Sequence, residues 1–129
     1  MSTTHRLLVV EDDSVVLGVL NRLLVREYEV HTRSNGQDAL DSFQAGEYAA
    51  ALIDLGLPGL SGDQVAHEIR RRDPAVSRIL ITGWALESED PRLEVFDFRL
   101  EKPLDMQQLQ RVVASAVEQH RARRRQGAG

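Results

Sequence analysis

The stretch AAALIDLGLPG, residues 49–59, joins a short apolar run to a single carboxylate and a turn rich in glycine and proline. An apolar run of this length, bounded by turn residues, is typical of a buried parallel strand. In an open α/β sheet, the side chain at the carboxyl end of such a strand lies where ligands bind. Asp54, which ends the run, is therefore the first candidate for a functional residue.

A second acidic group follows another apolar run. Residues 7–10 read LLVV, and Glu11, Asp12 and Asp13 come directly after them. Two buried strands that end in acids predict one shared site, because the carboxyl ends of parallel strands meet at the same edge of a sheet. Asp13 or Ser14 is the expected N-cap of the next helix, which leaves Glu11 and Asp12 for the site.

Length and composition predict a single globular domain. The chain has 129 residues, of which 42% are hydrophobic and 28% charged, so it is long enough for a real core. We expect that core over residues 5–120 and a basic, flexible tail over 121–129. The sequence has no cysteine and no apolar run near the roughly 20 residues of a membrane span. We therefore expect a cytoplasmic protein without a membrane contact, and the net charge of −4 argues against direct DNA binding.

Strand-like and helix-like patterns alternate along the whole chain. Strands are predicted over residues 7–10, 28–32, 49–54, 78–82 and 98–100. Helices are predicted over residues 14–26, 37–44, 62–72 and 105–123. This alternation predicts the α/β class, with a doubly wound, five-stranded parallel sheet in the strand order 2-1-3-4-5 and helices on both faces.

The predicted strand order brings several polar residues to one crevice. The acids after strand 1, Asp54 after strand 3 and Thr82 at the end of strand 4 converge there, and Lys102 can reach in from strand 5. Clustered carboxylates without a nearby His or Cys select a hard cation such as Mg²⁺. A carboxylate held near such a cation is a known nucleophile toward phosphoryl groups, whose transfer depends on positioning and charge neutralisation. The residues therefore suit phosphoryl transfer.

Four stretches resemble the receiver domains of response regulators in two-component signalling. They read LVVEDD at 8–13, DLGLPGLSG at 54–62, ILITG at 79–83 and EKPL at 101–104, and they occur in the family's order. The resemblance covers essentially the whole chain and implies the flavodoxin-like form of the predicted sheet. It also implies that Asp54 accepts a phosphoryl group from the phosphohistidine of a histidine kinase or a phosphotransfer protein.

The resemblance assigns roles to the other site residues. It implies that Asp12, Asp54 and the backbone carbonyl of Gly56 bind Mg²⁺, with Glu11 helping through water. Thr82, directly before Gly83, would contact the phosphoryl group, and Lys102 would pair with it. The Lys102-Pro103 peptide bond would be cis. Such a domain works as a switch with a downstream protein target or homodimer, and we expect it to turn over no external substrate.

Two departures from the family pattern concern the readout of the switch. Arg99 stands where family members usually carry a Tyr or Phe, and Phe98 beside it would face the other side of the strand. The separation of Thr82 and Lys102, 102 − 82 = 20, is shorter than the family pattern implies, and Pro91 interrupts this acidic segment. We expect a loop or a shortened, mobile fourth helix there, or else a normal helix that begins late.

Two positions beside the site, Gly56 and Trp84, are expected to tune how long the signal lasts. Gly56 leaves space for water beside the acceptor, whereas Trp84 is bulky enough to shield an acyl phosphate or to pack on a partner.

Three interpretations of the function remain open at this point. Besides the switch, a Mg²⁺-dependent phosphatase or phosphotransferase with an aspartyl nucleophile is possible, although Gly56 stands where its general acid is expected. The third interpretation, suggested by Arg99, is an interaction domain that works without phosphorylation.

Overall fold

A computed structural model describes residues 4–127 as five strands, four α-helices and one 3₁₀ helix. The strands are β1 (Arg6–Val10), β2 (Glu29–Arg33), β3 (Ala50–Asp54), β4 (Ser77–Thr82) and β5 (Phe98–Glu101). The helices are α1 (Ser14–Leu24), α2 (Gly36–Ser42), α3 (Gly62–Arg72), the 3₁₀ helix (Pro91–Val95) and α4 (Met106–Gly127). Every predicted strand and helix is present, with ends that differ by a few residues.

The sheet is parallel and has the predicted order β2-β1-β3-β4-β5. The residue opposite Val10 on β3 is Ile53, and the residue opposite Asp54 on β4 is Ile81. The carboxyl ends of β1, β3 and β4 are therefore level with one another. This register brings the residues that follow the three strands to one edge of the sheet.

Side chains of the strands alternate between two apolar layers, as the period of a strand requires. Leu7 and Val9 point into the layer beneath α1 and α4, whereas Leu8 and Val10 point into the layer beneath α2 and α3. All five residues of β3 and all six of β4 are buried. A sheet covered on both faces explains why these strands read as apolar runs rather than as alternating patterns.

The first helix begins where the sequence predicts it. The Asp13 carboxylate accepts the backbone N–H groups of Val15 at 2.9 Å and Val16 at 3.3 Å, so it caps α1. Asp13 is thereby committed to the helix, and the other two acids of the group remain for the site.

The fourth-helix region is irregular, as predicted. A single 3₁₀ helix, Pro91–Val95, replaces a regular α-helix, and the Asp90 side chain caps it by accepting the Arg92 N–H. Proline fits at the first helical position because its missing N–H has no helical partner there. The alternative of a normal helix that begins late is therefore wrong, while the predicted mobility stays a prediction.

The predicted flexible tail from residue 121 requires a correction, because α4 continues to Gly127. Its apolar seam ends at Val117, but ion pairs continue the contact with the body of the domain. Arg123 lies 2.6 Å from Asp97, and Arg124 lies 2.8 Å from Asp73. The run of arginines predicted a solvated end, because the sequence does not reveal that Asp97 and Asp73, distant along the chain, lie within reach. Residues 128 and 129 of the predicted tail lie outside the described residues.

A buried ion-pair network joins the amino end of the sheet to α4. Arg78 is 5% exposed and donates to the Val95 carbonyl at 2.7 Å and the Val76 carbonyl at 2.8 Å. The Asp97 carboxylate lies 3.5 Å from the Arg78 guanidinium and also accepts from Arg123. One carboxylate thus compensates a buried arginine and holds the end of α4.

Among residues 4–127, no helix is long and apolar enough to cross a membrane.

Candidate functional site

Three acids meet at the carboxyl edge of the sheet. Glu11 and Asp12 follow β1, Asp54 ends β3, and their carboxylate oxygens lie within 4.8 Å of one another. Glu11 is fully buried, Asp54 is 7% exposed, and Asp12 is exposed. The two strands that end in acids therefore form one site, which we call the acid cluster.

A lysine ammonium reaches the acid cluster from β5. The Lys102 Nζ lies 3.1 Å from a Glu11 carboxylate oxygen and 3.5 Å from Asp54 Oδ1. The Lys102-Pro103 peptide bond that follows is cis, as the sequence resemblance implied. Lys102 thus lies where it can offset the charge of both buried acids.

Burial and mutual repulsion make the anionic forms of the two inner acids costly. Burial, followed by the charge of Asp54, raises the pKa of Glu11, and the Lys102 contact opposes the shift only in part. Burial also raises the pKa of Asp54; Lys102 opposes this shift, and the charge of Asp12 adds to it. Burial acts to lower the pKa of Lys102, but the hydrogen bond with Glu11 and the charge of Asp54 outweigh it. The cluster therefore retains excess negative charge that a further cation would relieve.

The donor set fits a hard divalent cation. All three acids offer carboxylate oxygens, which are the ligands that Mg²⁺ prefers. One Glu11 oxygen is buried and has no hydrogen-bond partner among residues 4–127, so it retains an unused acceptor. The backbone N–H of Gly56 acts to lower the pKa of Asp54 and so favours its anionic form, but burial outweighs it.

Thr82 lies at the end of β4, beside the acid cluster. It is 1% exposed, and its Oγ1 accepts the backbone N–H of Trp84 at 2.9 Å. This contact fixes the oxygen while its own hydrogen remains available for donation. A Cβ added to Gly83 would meet Lys102 carbons at 3.9 Å, an ordinary contact, so the position does not require glycine for space.

Trp84 lies against the turn that follows β3. A Cβ built on Gly56 would stand 3.3 Å from the indole ring of Trp84, which is 53% exposed. The Arg92 guanidinium stacks over the indole at 5.7 Å and is held by both oxygens of Asp90. Asp90 and Arg92 were not among the candidates from the sequence. The only signal was an acid two residues before an arginine, which occurs too often to identify a site.

Gly62 has a positional role that the sequence analysis did not single out. A Cβ on Gly62 would stand 2.2 Å from the backbone oxygen of Asp54, and the Gly62 N–H donates to Leu55 at 2.9 Å. The start of α3 therefore packs directly on the backbone of Asp54. The available signal was a glycine in the first turn of a helix, where most other residues form helix more readily.

Substitution of Gly62 is expected to disturb the end of β3. Gly62→Ala should lower the free energy of unfolding by about 2 kcal/mol, because the new methyl group overlaps the Asp54 backbone. Chemical denaturation measures this change. Gly18→Ala in α1 is the matched control, because nothing in the described part of the chain lies within 4 Å of its Cβ position apart from its chain neighbours and its own helix backbone, and a gain of about 0.5–1 kcal/mol is expected. Equal stability of the wild type and Gly62→Ala would contradict the overlap.

Arg99 and Phe98 face opposite sides of β5, as expected. Phe98 packs against the apolar layer beneath α1 and α4. The Arg99 guanidinium instead contacts the Leu86 carbonyl and lies 3.1 Å from a Glu101 carboxylate oxygen. The position that usually carries an aromatic ring therefore contacts the loop between β4 and the 3₁₀ helix.

The family model of the response regulator receiver domain matches residues 7–114. The chain belongs to this family. Receiver domains are the signalling switches of two-component systems and are generally not classical enzymes. They bind Mg²⁺ at an acidic pocket, and the Glu/Asp/Asp group of the acid cluster is consistent with such a pocket.

Relatives and solved structures agree with this membership. The transcriptional regulatory protein YkoG of Bacillus subtilis is 32% identical over 119 residues, which cover 88% of this chain and 51% of YkoG. The response regulator TrrA of Thermotoga maritima, solved in complex with Mg²⁺-BeF, is 32% identical with a TM-score of 0.81 and covers 88% of this chain and 99% of that one. A CheY-like receiver domain of Methanospirillum hungatei has the same fold, with a TM-score of 0.86 at 21% identity over 94% of this chain and 99% of that one. The receiver domain spans about half the length of YkoG.

Proposed function

We propose that this receiver domain accepts a phosphoryl group on Asp54 from the phosphohistidine of a histidine kinase or phosphotransfer protein. The observation that carries the proposal is the Lys102 ammonium, which lies 3.1 Å from Glu11 and 3.5 Å from Asp54 within the acid cluster. A solved relative, TrrA, was crystallised with Mg²⁺-BeF, which supports a Mg²⁺-dependent acceptor here. The proposed donor also implies a cytoplasmic location.

Glu11, Asp12, Asp54 and the backbone carbonyl of Gly56 are the residues that would hold Mg²⁺ in this proposal. The unpartnered buried oxygen of Glu11 supports it, and so does the excess negative charge of the cluster. When bound, the cation would supply charge neutralisation for the phosphoryl oxygens.

Asp54 acts as the nucleophile in the proposed transfer. A carboxylate oxygen of Asp54 forms a P–O bond as the P–N bond of the phosphohistidine breaks, and the donor imidazole keeps the bonding electron pair and takes up a proton. Lys102 holds an ammonium beside the Asp54 carboxylate and offsets the charge that the phosphoryl group brings. Thr82 donates its hydroxyl hydrogen to a phosphoryl oxygen, while its oxygen keeps the Trp84 N–H.

The product is an acyl phosphate whose charge drives the switch. The Thr82 hydroxyl oxygen accepts the hydrogen bond from the Trp84 N–H. Movement of Thr82 toward the phosphoryl group therefore shifts the loop that follows β4. That shift changes a surface for a downstream protein or for a second copy of the chain. The proposal includes no turnover of an external substrate and no direct DNA binding by this domain.

Incubation with acetyl phosphate and Mg²⁺, followed by intact mass measurement, tests the proposal. The wild type is expected to gain the mass of one phosphoryl group, and Asp54→Asn is expected to gain none. Asp41→Asn, an exposed change of the same kind on α2, should react like the wild type. The absence of any stable or transient adduct would favour an interaction domain that works without phosphorylation. Sustained hydrolysis of a phosphoester would favour a phosphatase.

Trp84 should report occupancy of the site. It is the only tryptophan in the sequence, and its indole lies against Gly56, two residues after the acceptor. Addition of Mg²⁺ and beryllofluoride is therefore expected to change the tryptophan emission, because charge and solvent around the ring change. Calorimetry provides an independent measure of binding. Unchanged emission with binding confirmed by calorimetry would contradict the location of Trp84 at the rim of the site.

A further inference from the structure

Arg99 lies on β5, and the proposed phosphoryl transfer makes no use of its contacts. Its side chain is 28% exposed, and its two terminal nitrogens donate to the Leu86 carbonyl at 3.4 and 3.3 Å. One of these nitrogens also lies 3.1 Å from the Glu101 carboxylate. A planar guanidinium can address two acceptors at once, whereas an ammonium cannot present such a fork.

The Leu86 carbonyl lies in the middle of the loop that connects β4 to the 3₁₀ helix, residues 83–90. Within the described residues, hydrogen bonds to two side chains of the sheet hold this loop. The Trp84 N–H donates to the Thr82 hydroxyl oxygen, and the Leu86 carbonyl accepts from the Arg99 guanidinium. The first fastens the loop beside the acid cluster, and the second fastens it one strand away. The far end of the loop is held by Asp90, which binds Arg92 against the Trp84 ring.

Arg99 therefore contacts the same loop, residues 83–90, that contains Trp84. The Arg99 Nε is buried without a hydrogen-bond partner among residues 4–127, which is unfavourable unless the other contacts of the side chain compensate. A solvated arginine on β5 would avoid this cost. The contacts with the Leu86 carbonyl and the Glu101 carboxylate together hold the side chain in this conformation.

We propose that Arg99 is a positioning residue, which fastens the loop 83–90 through the Leu86 carbonyl and thereby holds Trp84 against Gly56. Loss of the contact frees the middle of the loop, and the indole then leaves the rim of the acid cluster for part of the time. The Arg99 contact is present without a phosphoryl group, so its positioning role does not require phosphorylation. Its consequence, faster access of water to an acyl phosphate on Asp54, rests on the proposed function.

Acrylamide quenching of the Trp84 emission tests the proposal in the unphosphorylated protein. Arg99→Gln removes the charged fork, and the quenching constant is expected to rise about twofold, because loss of one such hydrogen bond shifts a loop equilibrium severalfold. Arg99→Lys keeps a cationic donor but loses the fork, so it should return the constant part of the way toward the wild-type value. Arg111→Gln is the matched control, because this exposed arginine of α4 changes the charge equally. Arg99→Met, which also lacks a donor, replaces Arg99→Gln should that variant fail to fold.

A higher quenching constant in either donor-free variant, with partial recovery in Arg99→Lys and no change in Arg111→Gln, supports the positioning role. A wild-type constant in the folded donor-free variant overturns it, and so does an equal rise in Arg111→Gln. The phosphoryl adduct on the wild type is measured separately. An adduct with unchanged quenching rejects the positioning role alone, whereas changed quenching without an adduct rejects the proposed function alone.

Discussion

Asp12→Asn is expected to weaken Mg²⁺ binding about a hundredfold, because it removes one of the three carboxylates of the acid cluster. The loss has two causes. An amide oxygen is a weaker ligand for a hard cation, and one unit of the negative charge that attracts the cation disappears. Glu11 and Asp54 already belong to the acid cluster, so neither adds a carboxylate in place of the one that is lost. Titration with Mg²⁺, followed by calorimetry or Trp84 emission, measures the affinity.

Asp13→Asn is the matched control for this change. Asp13 stands next in sequence, but its carboxylate accepts the Val15 and Val16 N–H groups and lies outside the acid cluster. Asparagine is also a good N-cap, so α1 should remain stable. Near wild-type affinity is expected. Equal losses in Asp12→Asn and Asp13→Asn would show only a general effect of charge and would contradict the proposed ligand set.

Asp97→Ala is expected to lower the free energy of unfolding by about 3–5 kcal/mol, because it leaves a buried arginine without its counter-charge. The Arg78 side chain is 6% exposed and the Asp97 side chain 12%, so solvent cannot replace the lost carboxylate. The same change releases Arg123 and therefore loosens the end of α4. Urea denaturation of the wild type and the variant measures the difference.

The control for Asp97→Ala is Asp41→Ala, the same substitution at an exposed position of α2. Among residues 4–127, Asp41 accepts a hydrogen bond only from Gln37 on its own helix, so a loss within about 0.5 kcal/mol is expected. Similar losses in the two variants would contradict the network at the amino end of the sheet.

Asp97 should also contribute to the acid sensitivity of the fold. Burial acts to raise the pKa of Asp97, but hydrogen bonds from Arg123 and the Arg78 N–H outweigh it, and the pKa lies below its ordinary value. A carboxylate whose pKa is lower in the folded state adds stability above its unfolded pKa of about 3.9. That contribution is lost as the pH falls from there through the folded pKa. The stability difference between the wild type and Asp97→Asn should therefore shrink as the pH falls below about 4.

The sheet and the acid cluster were predictable because each rests on a local pattern. Residues 49–59 contain both the buried strand and the carboxylate at its end, and the strand order follows from the alternation of strands and helices. The same reasoning brought Thr82 and Lys102 to the crevice, where the structure also has them. Residues at strand ends are predictable in this way, because topology alone fixes their neighbours.

The remaining features depend on contacts between residues that are distant in sequence. The end of α4 was expected to be solvated, since nothing near Arg123 and Arg124 reveals that Asp97 and Asp73 lie within reach. Gly62 belongs to the motif, but its need for a bare Cα appears only when the Asp54 backbone lies beneath it. The contact of Arg99 likewise depends on the path of an irregular loop, which no periodic pattern describes.

Location of the phosphoryl group within the chain tests the central claim most directly. The protein is incubated with Mg²⁺ and acetyl phosphate and then reduced with borohydride, which converts an aspartyl phosphate into homoserine, and peptide masses locate the change. We expect homoserine at residue 54 alone, in the peptide that contains β3 and the turn after it. Homoserine at position 12 or 13 instead, or an unmodified Asp54 in a protein that carries a phosphoryl group, would contradict the account.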